Sequence, residues 1–282
     1  MSAILFPGQG SQKAGMGREL YIKYPEKALF MCDSLGCTLN ELYTDNEGNL
    51  FSDPAYLQPA LFAVHTMWYD EYVKENPLPR MCAGHSLGEY SALYCGGALG
   101  FEDGVKLLKK RGELTKAVKN GKMAAVTGLS TDDIEGILVS NGFDTGIMAN
   151  FNTPKQTVLS GEESVILRAG DIFSSMRGVD VTFLNVSGAF HTEFMRSCAE
   201  EFNKYLCKTT FSKPKIPVIS NTVALPFEDD IYQTLKKHMV SPVRWVESVN
   251  YILDHGCETV IATPSGPMAG MVRKIKKERL AV

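Results

Sequence analysis

The stretch Ala83-Gly84-His85-Ser86-Leu87-Gly88-Glu89-Tyr90 decides how this chain is read. Within it, Gly84-His85-Ser86-Leu87-Gly88 fits G-x-S-x-G, the pattern of a nucleophile elbow: a strand, one sharp turn, then a helix, with serine at the tip. Each position has a physical task. The glycines let the turn close and let strand and helix approach each other. The turn lifts the serine hydroxyl clear of the backbone, and the Leu87 amide then points to where an oxyanion would form. The flanks agree. Residues 79–83 are a short, mostly apolar run suited to a buried strand, and 87–96 carry small residues on one face of a helix. A plainer reading stays open on these residues alone, in which Ser86 caps a helix and does nothing more.

Composition narrows the field. The chain has 282 residues, 44% of them hydrophobic and 22% charged, which suffices for a sizeable core. A net charge of −3 gives no electrostatic case for nucleic acid as a partner. No run approaches the length of a membrane span, and the amino terminus has neither a basic segment nor a long apolar one. A cytoplasmic protein without membrane contact is therefore expected. The cysteines at 32, 37, 82, 95, 198, 207 and 257 are odd in number, scattered and free of C-x-x-C, so reduced thiols are expected. The five histidines include no pair at a metal-ligand spacing, so no metal is expected.

Outward from the elbow, residues 3–6 read as a first buried strand running into Pro7-Gly8-Gln9-Gly10-Ser11-Gln12. This glycine-rich loop lies at a strand's carboxyl end, where α/β sheets place ligands, yet G-x-G-x-x-G fails because Lys13 stands where the third glycine belongs. Helices are expected over 25–36 and 58–73, with Pro59 in the first turn of the second. Residues 101–118 form an amphipathic helix interrupted by Gly112, which implies a close approach there. Arg111, in Lys109-Lys110-Arg111, reads on this evidence as a solvent-facing charge. The pattern then changes. Strands over 122–128, 146–151, 156–160 and 179–184, with helices over 131–140 and 164–176, give the order β-α-β-β-α-β of a ferredoxin-like unit. His191 follows at the seam, in Ser187-Gly188-Ala189-Phe190-His191-Thr192, where it could face a cleft or be structural. Helices over 193–207, 231–239, 243–253 and 266–277 and strands over 216–220 and 260–262 complete the chain. The fold class is α/β. A large α/β-hydrolase-like domain with a mainly parallel sheet (1–121 and 188–282) holds an inserted small ferredoxin-like α+β subdomain (122–187).

Five stretches in order carry a resemblance: Phe6-Pro7-Gly8-Gln9-Gly10-Ser11-Gln12, Gly84-His85-Ser86-Leu87-Gly88-Glu89, Arg111-Gly112, Gly188-Ala189-Phe190-His191 and Pro242-Val243-Arg244-Trp245. From residue 3 to about residue 277 the chain resembles the malonyl-CoA:acyl carrier protein transacylases, and most of all the stand-alone acyltransferases that serve polyketide synthases in trans. The resemblance implies a ping-pong reaction with Ser86 as nucleophile and His191 as general base and then acid. It implies an oxyanion hole from the amides of Gln9 and Leu87, and Arg111 gripping the free carboxylate of malonate. A planar fork binds a carboxylate at two points, which lysine cannot. Phe190 matches a selectivity position favouring malonyl over methylmalonyl units, and Asn152 matches an asparagine near the site. The resemblance also implies that a backbone carbonyl orients His191, from a loop that here includes His238 where the family usually has glutamine. No cofactor or metal is implied. The partners implied are malonyl-CoA and a holo acyl carrier protein or polyketide synthase carrier domain, met by a monomer.

The chain departs from the family at Thr263-Pro264-Ser265, where G-P-G is common. Three other readings compete. An acyl hydrolase of the same fold, clearing carrier proteins, would share Ser86 and His191 but have no use for Arg111. A docking partner that had lost catalysis would not need these residues. A lipase-like esterase would show an H-G-G-G loop, which is missing.

Overall fold

Strand β1 (Ser2–Phe6) lies between β2 (Met81–Gly84) and β8 (Glu258–Ile261), with β7 (Val218–Ile219) beyond β2, and every pairing is parallel. This is a computed structural model describing residues 1–13, 15–43, 50–186, 188–263 and 266–280. Side chains alternate along β1, so it feeds two cores. Ile4 and Phe6 pack with the helices Pro54–Glu75, Gly88–Cys95 and Phe101–Ala117. Ala3 and Leu5 pack with Trp245–Asp254 and Met268–Arg279 on the other face. Helices on both faces explain why these strands read as continuous apolar runs. In the β1–β2 register Phe6 pairs with Gly84. The loop after β1 and the elbow after β2 therefore leave the same edge of the sheet side by side.

Two helix expectations need correction. The helix placed at 58–73 starts at Pro54, because Asp53 caps it by accepting the Ala55 amide at 3.0 Å and Pro54 fills the first turn. Pro59 lies inside that helix, where it cannot donate a helical bond. The helix placed at 231–239 stops at Leu235 and gives way to a 3₁₀ turn, His238–Val240. Pro242 disfavours helical backbone at Ser241, and the carbonyls of His238 and Met239 turn to His191 instead. The close approach expected at Gly112 is present: a Cβ there would lie 2.2 Å from the Pro54 carbonyl oxygen.

A second, antiparallel sheet contains β3 (Gly121–Thr127), β4 (Met148–Thr153), β5 (Gln156–Glu162) and β6 (Asp180–Phe183) in the order β4-β5-β3-β6. β4 begins later than 146 because Asp144 caps a 3₁₀ turn, Thr145–Ile147. Thr131–Ser140 and Glu163–Ser174 cover one face through Ile134, Ile166 and Phe173. The other face turns Met123, Ala125 and Val158 towards Phe190 and the first sheet's edge. The second sheet is spliced through the backbone to the segment just before the helix Trp245–Asp254. Phe151 N–H donates to the Val243 carbonyl at 2.9 Å, and Val243 N–H donates to the Ala149 carbonyl at 2.8 Å. No helix among the described residues is long and apolar enough to cross a membrane. Ser187, Pro264 and Ser265 lie outside the described residues, and Thr263 is held at φ +43°.

Candidate active site

The turn between β2 and the helix Gly88–Cys95 is as tight as the motif requires. A Cβ on Gly84 would sit 2.0 Å from the Gly88 carbonyl carbon, and one on Gly88 would sit 2.1 Å from the Phe6 carbonyl oxygen. Ser86 at the tip has φ +51°, a left-handed conformation that costs a non-glycine residue about 1–3 kcal/mol. Its amide is held by Asn221 Oδ1 at 2.7 Å.

Ser86 Oγ lies 2.7 Å from His191 Nε2, so a contact that spans 105 positions in sequence is closed by the fold. His191 is itself left-handed, at φ +64°, with its amide donating to the Met239 carbonyl at 3.1 Å. Its Nδ1 lies 3.0 Å from the His238 carbonyl oxygen. A carbonyl only accepts, so Nδ1 carries the proton and Nε2 is free to accept from Ser86. Burial, followed by the nearby Arg111 charge, pushes His191 down to about 3 and keeps it neutral. A serine hydroxyl donating to a neutral, oriented imidazole is equipped to become an acyl-accepting nucleophile.

The dyad opens into a cavity of about 560 Å³ between the two sheets, with the Pro7–Gln12 loop on one side and Met123, Ala125 and Val158 on the other. Among the described residues, the backbone amides of Gln9 and Leu87, both at this cavity, have no backbone acceptor. The solvent-facing reading of Arg111 is corrected. Arg111 is 3% exposed, lines the cavity and donates from Nη1 to Gln58 Oε1 at 2.9 Å. Gln58 is in turn fixed by Thr115 Oγ1, 3.2 Å from its Nε2. The guanidinium lies 5.8 Å from the Tyr90 ring centroid, and among the described residues its Nε has no hydrogen-bond partner. Helix Phe101–Ala117 presents Arg111 on its buried side, which the neighbouring lysines concealed in the sequence.

Phe190 is half-buried at the cavity wall beside His191. Asn152 is nearby but engaged: its Oδ1 lies 2.8 Å from His85 Nε2, and its Nδ2 donates to Gln156 Oε1 at 3.4 Å. His85 in turn meets the Trp245 ring edge-on at 5.4 Å. The sequence therefore named Ser86, His191, Gln9, Leu87, Arg111, Phe190 and Asn152, and all seven meet at one cavity. It missed Gln58 and Asn221. Neither stands in a motif, and each reaches its partner only through the fold.

The chain belongs to the acyl transferase domain family, whose model matches residues 4–278. Among its relatives is the polyketide biosynthesis malonyl CoA-acyl carrier protein transacylase BaeC of Bacillus velezensis. That protein is 39% identical over 99% of this chain and 98% of its own length. Among solved structures, the malonyl CoA-acyl carrier protein transacylase of Burkholderia pseudomallei superposes with a TM-score of 0.90. It is 34% identical and the match covers 99% of this chain and 98% of the other. A structure of a type II polyketide acyl-carrier protein in complex with its malonyl-transacylase matches at a TM-score of 0.87. It is 30% identical over 98% and 93% of the two chains.

Proposed function

We propose that this protein moves a malonyl group from malonyl-CoA to the phosphopantetheine thiol of a holo acyl carrier protein or carrier domain, in trans and for polyketide synthesis. Ser86 Oγ attacks the thioester carbon while its proton passes to His191 Nε2. The carbon–sulfur bond breaks and the proton leaves on the coenzyme A thiol. The carrier thiol then attacks the malonyl-serine ester, giving its proton to His191, which returns it to Ser86. The amides of Gln9 and Leu87 stabilise the oxyanion in both halves, a few kcal/mol per donor being usual. The reaction so drawn calls for no bound cofactor or metal.

One observation carries the malonyl assignment: the buried Arg111 fork shares a cavity with the Ser86–His191 dyad. An uncharged acyl group would give that cation no carboxylate to pair with beyond its hydrogen bond to Gln58, whereas the malonate carboxylate pairs with it at two points. Phe190 occupies the space an α-methyl would need, and Asn152 supports the cavity by holding His85. The polyketide role is supported by the relative named above. The strand order β4-β5-β3-β6 with two helices on one face supports a ferredoxin-like insert, 122–187, within an α/β-hydrolase-like domain, 1–121 and 188–282. On this reading the enzyme acts as a cytoplasmic monomer.

The test is intact-protein mass spectrometry after brief mixing with malonyl-CoA or acetyl-CoA, with and without holo carrier protein. A malonyl adduct should form on wild type, persist without carrier, transfer when carrier is added, and be absent from Ser86→Ala. An adduct formed mainly from acetyl-CoA and lost to water would replace this reading with the hydrolase.

A further inference from the structure

Asn221 follows β7 and is buried against the elbow, 135 positions from the serine it touches. Its side chain grips both sides of the turn. Oδ1 accepts the Ser86 amide at 2.7 Å, and Nδ2 donates to the Gly84 carbonyl at 2.6 Å. Its backbone is fixed as well: its N–H donates to Glu89 Oε1 at 2.6 Å and its carbonyl accepts the Arg244 amide at 3.0 Å. Three of these four bonds end on the elbow. The turn's own backbone bonds run from Gly88 to His85 and from Glu89 to Ser86, so none of them joins Gly84 to Ser86.

Glu89 extends the network. It is fully buried, and its Oε2 lies 3.2 Å from His238 Nε2, in contact without the alignment of a hydrogen bond. The carbonyl of His238 is the one facing His191 Nδ1. The polar contacts therefore close a ring: Ser86 amide, Asn221, Glu89, His238, His191 and back to the Ser86 hydroxyl.

We propose that Asn221, backed by Glu89, is a positioning residue that holds Ser86 in register with His191. This rests on Ser86 being the nucleophile, as proposed above. A left-handed serine persists only where its surroundings over-determine it, and Asn221 bonds the amide on one side of that φ angle. Without the clamp, the Ser86 amide and the Gly84 carbonyl lose their partners and the hydroxyl leaves its 2.7 Å contact with His191.

The test is the rate of acyl-enzyme formation from malonyl-CoA, by quench flow and intact mass, for wild type, Asn221→Ala and Asn221→Asp. The end-point adduct gives the fraction of competent sites. Asn221→Ala should lower the maximal rate per competent site about 100-fold, the cost of a misplacement near 1 Å. The malonyl-CoA concentration at half-maximal rate should stay within about twofold of wild type. Asn221→Asp keeps Oδ1 and loses the Nδ2 donor, so its rate should fall between the two. A residue that only stabilises the fold would lower the melting temperature and the competent fraction, leaving the rate per site unchanged; that result overturns the proposal. If Asn221→Ala does not fold, Asn221→Asp decides by the same criterion. Failure of both to fold also overturns it, by making Asn221 a residue of stability. A wild type unlabelled by malonyl-CoA would instead sink the proposed function. The same series run with a fluorophosphonate, which phosphonylates an active serine with loss of fluoride, would still test Asn221. A Ser86 inert to both reagents overturns both readings.

Discussion

Replacing Arg111 with alanine should convert a malonyl-selective site into one that treats malonyl and acetyl groups nearly alike. Nη1 is committed to Gln58, and among the described residues Nε has no hydrogen-bond partner. The malonate carboxylate can therefore take two charge-assisted hydrogen bonds that acetyl cannot. Each such bond contributes about 1.5–3 kcal/mol, so malonyl is favoured by about 3–6 kcal/mol. At about 1.4 kcal/mol per factor of ten, the ratio of malonyl to acetyl acylation rates should fall about 100- to 10,000-fold in Arg111→Ala. The loss should sit almost wholly in the malonyl rate. Arg111→Lys keeps the charge but not the fork and should recover only part of the ratio. Gln58 Oε1 loses its partner, so a stability cost of about 1–3 kcal/mol should accompany the change. The assay mixes enzyme with each thioester separately, quenches on the millisecond scale and counts adduct by mass. An unchanged malonyl-to-acetyl ratio in Arg111→Ala would refute the clamp, whatever happened to the absolute rates.

Two further outcomes follow from packing and burial. Gly88→Ala pushes a Cβ to within 2.1 Å of the Phe6 carbonyl oxygen and 2.7 Å of that of Pro7, both backbone atoms. Overpacking of this kind costs about 1–3 kcal/mol or more, so both the melting temperature and the acylation rate should drop; a variant matching wild type in both would contradict the described turn. The second concerns His65, fully buried with Nδ1 3.1 Å from Ser91 Oγ and held down to about 3 by burial. The folded group stays neutral while the unfolded one protonates below about 6.5, so its contribution is complete above pH 6.5 and is lost as pH falls. At about 1.4 kcal/mol per pH unit, wild type should lose about 2 kcal/mol more than His65→Gln between pH 7 and pH 5 in urea unfolding. Equal losses in the two proteins would show that His65 titrates normally.

The elbow and the second sheet with its two helices were legible because short-range physics writes them locally, whereas the pairing of Ser86 with His191 across 105 positions was legible only through the resemblance. Gly84 and Gly88 are there because backbone occupies the space a Cβ would take, and the alternation of strands and helices records which faces are buried. Gly112 likewise announced a contact, though not that its partner would be Pro54. Arg111 misled because it is fully buried while its neighbours Lys109 and Lys110 are only half-buried, a difference that a run of basic letters hides. The helix expected through Met239 ended early because two carbonyls of that stretch serve His191, a tertiary demand of which Pro242 is the one local sign. Asn221 was invisible for the same reason: it is one polar residue after a two-residue strand, and its importance lies in what the fold brings to it.

The backbone splice at Val243 has a consequence for recombination between acyltransferases. A crossover that exchanges only β3 to β6 takes Ala149 and Phe151 from one parent and leaves Val243 with the other. The two bonds are made by main-chain atoms and survive that exchange. The side chains around them do not enjoy the same tolerance: Asn152 on β4 holds His85, and His85 leans on Trp245 two residues past the splice. Chimeras should therefore inherit β4 and the Pro242-Val243-Arg244-Trp245 turn from a single parent, as one unit written in two places along the chain.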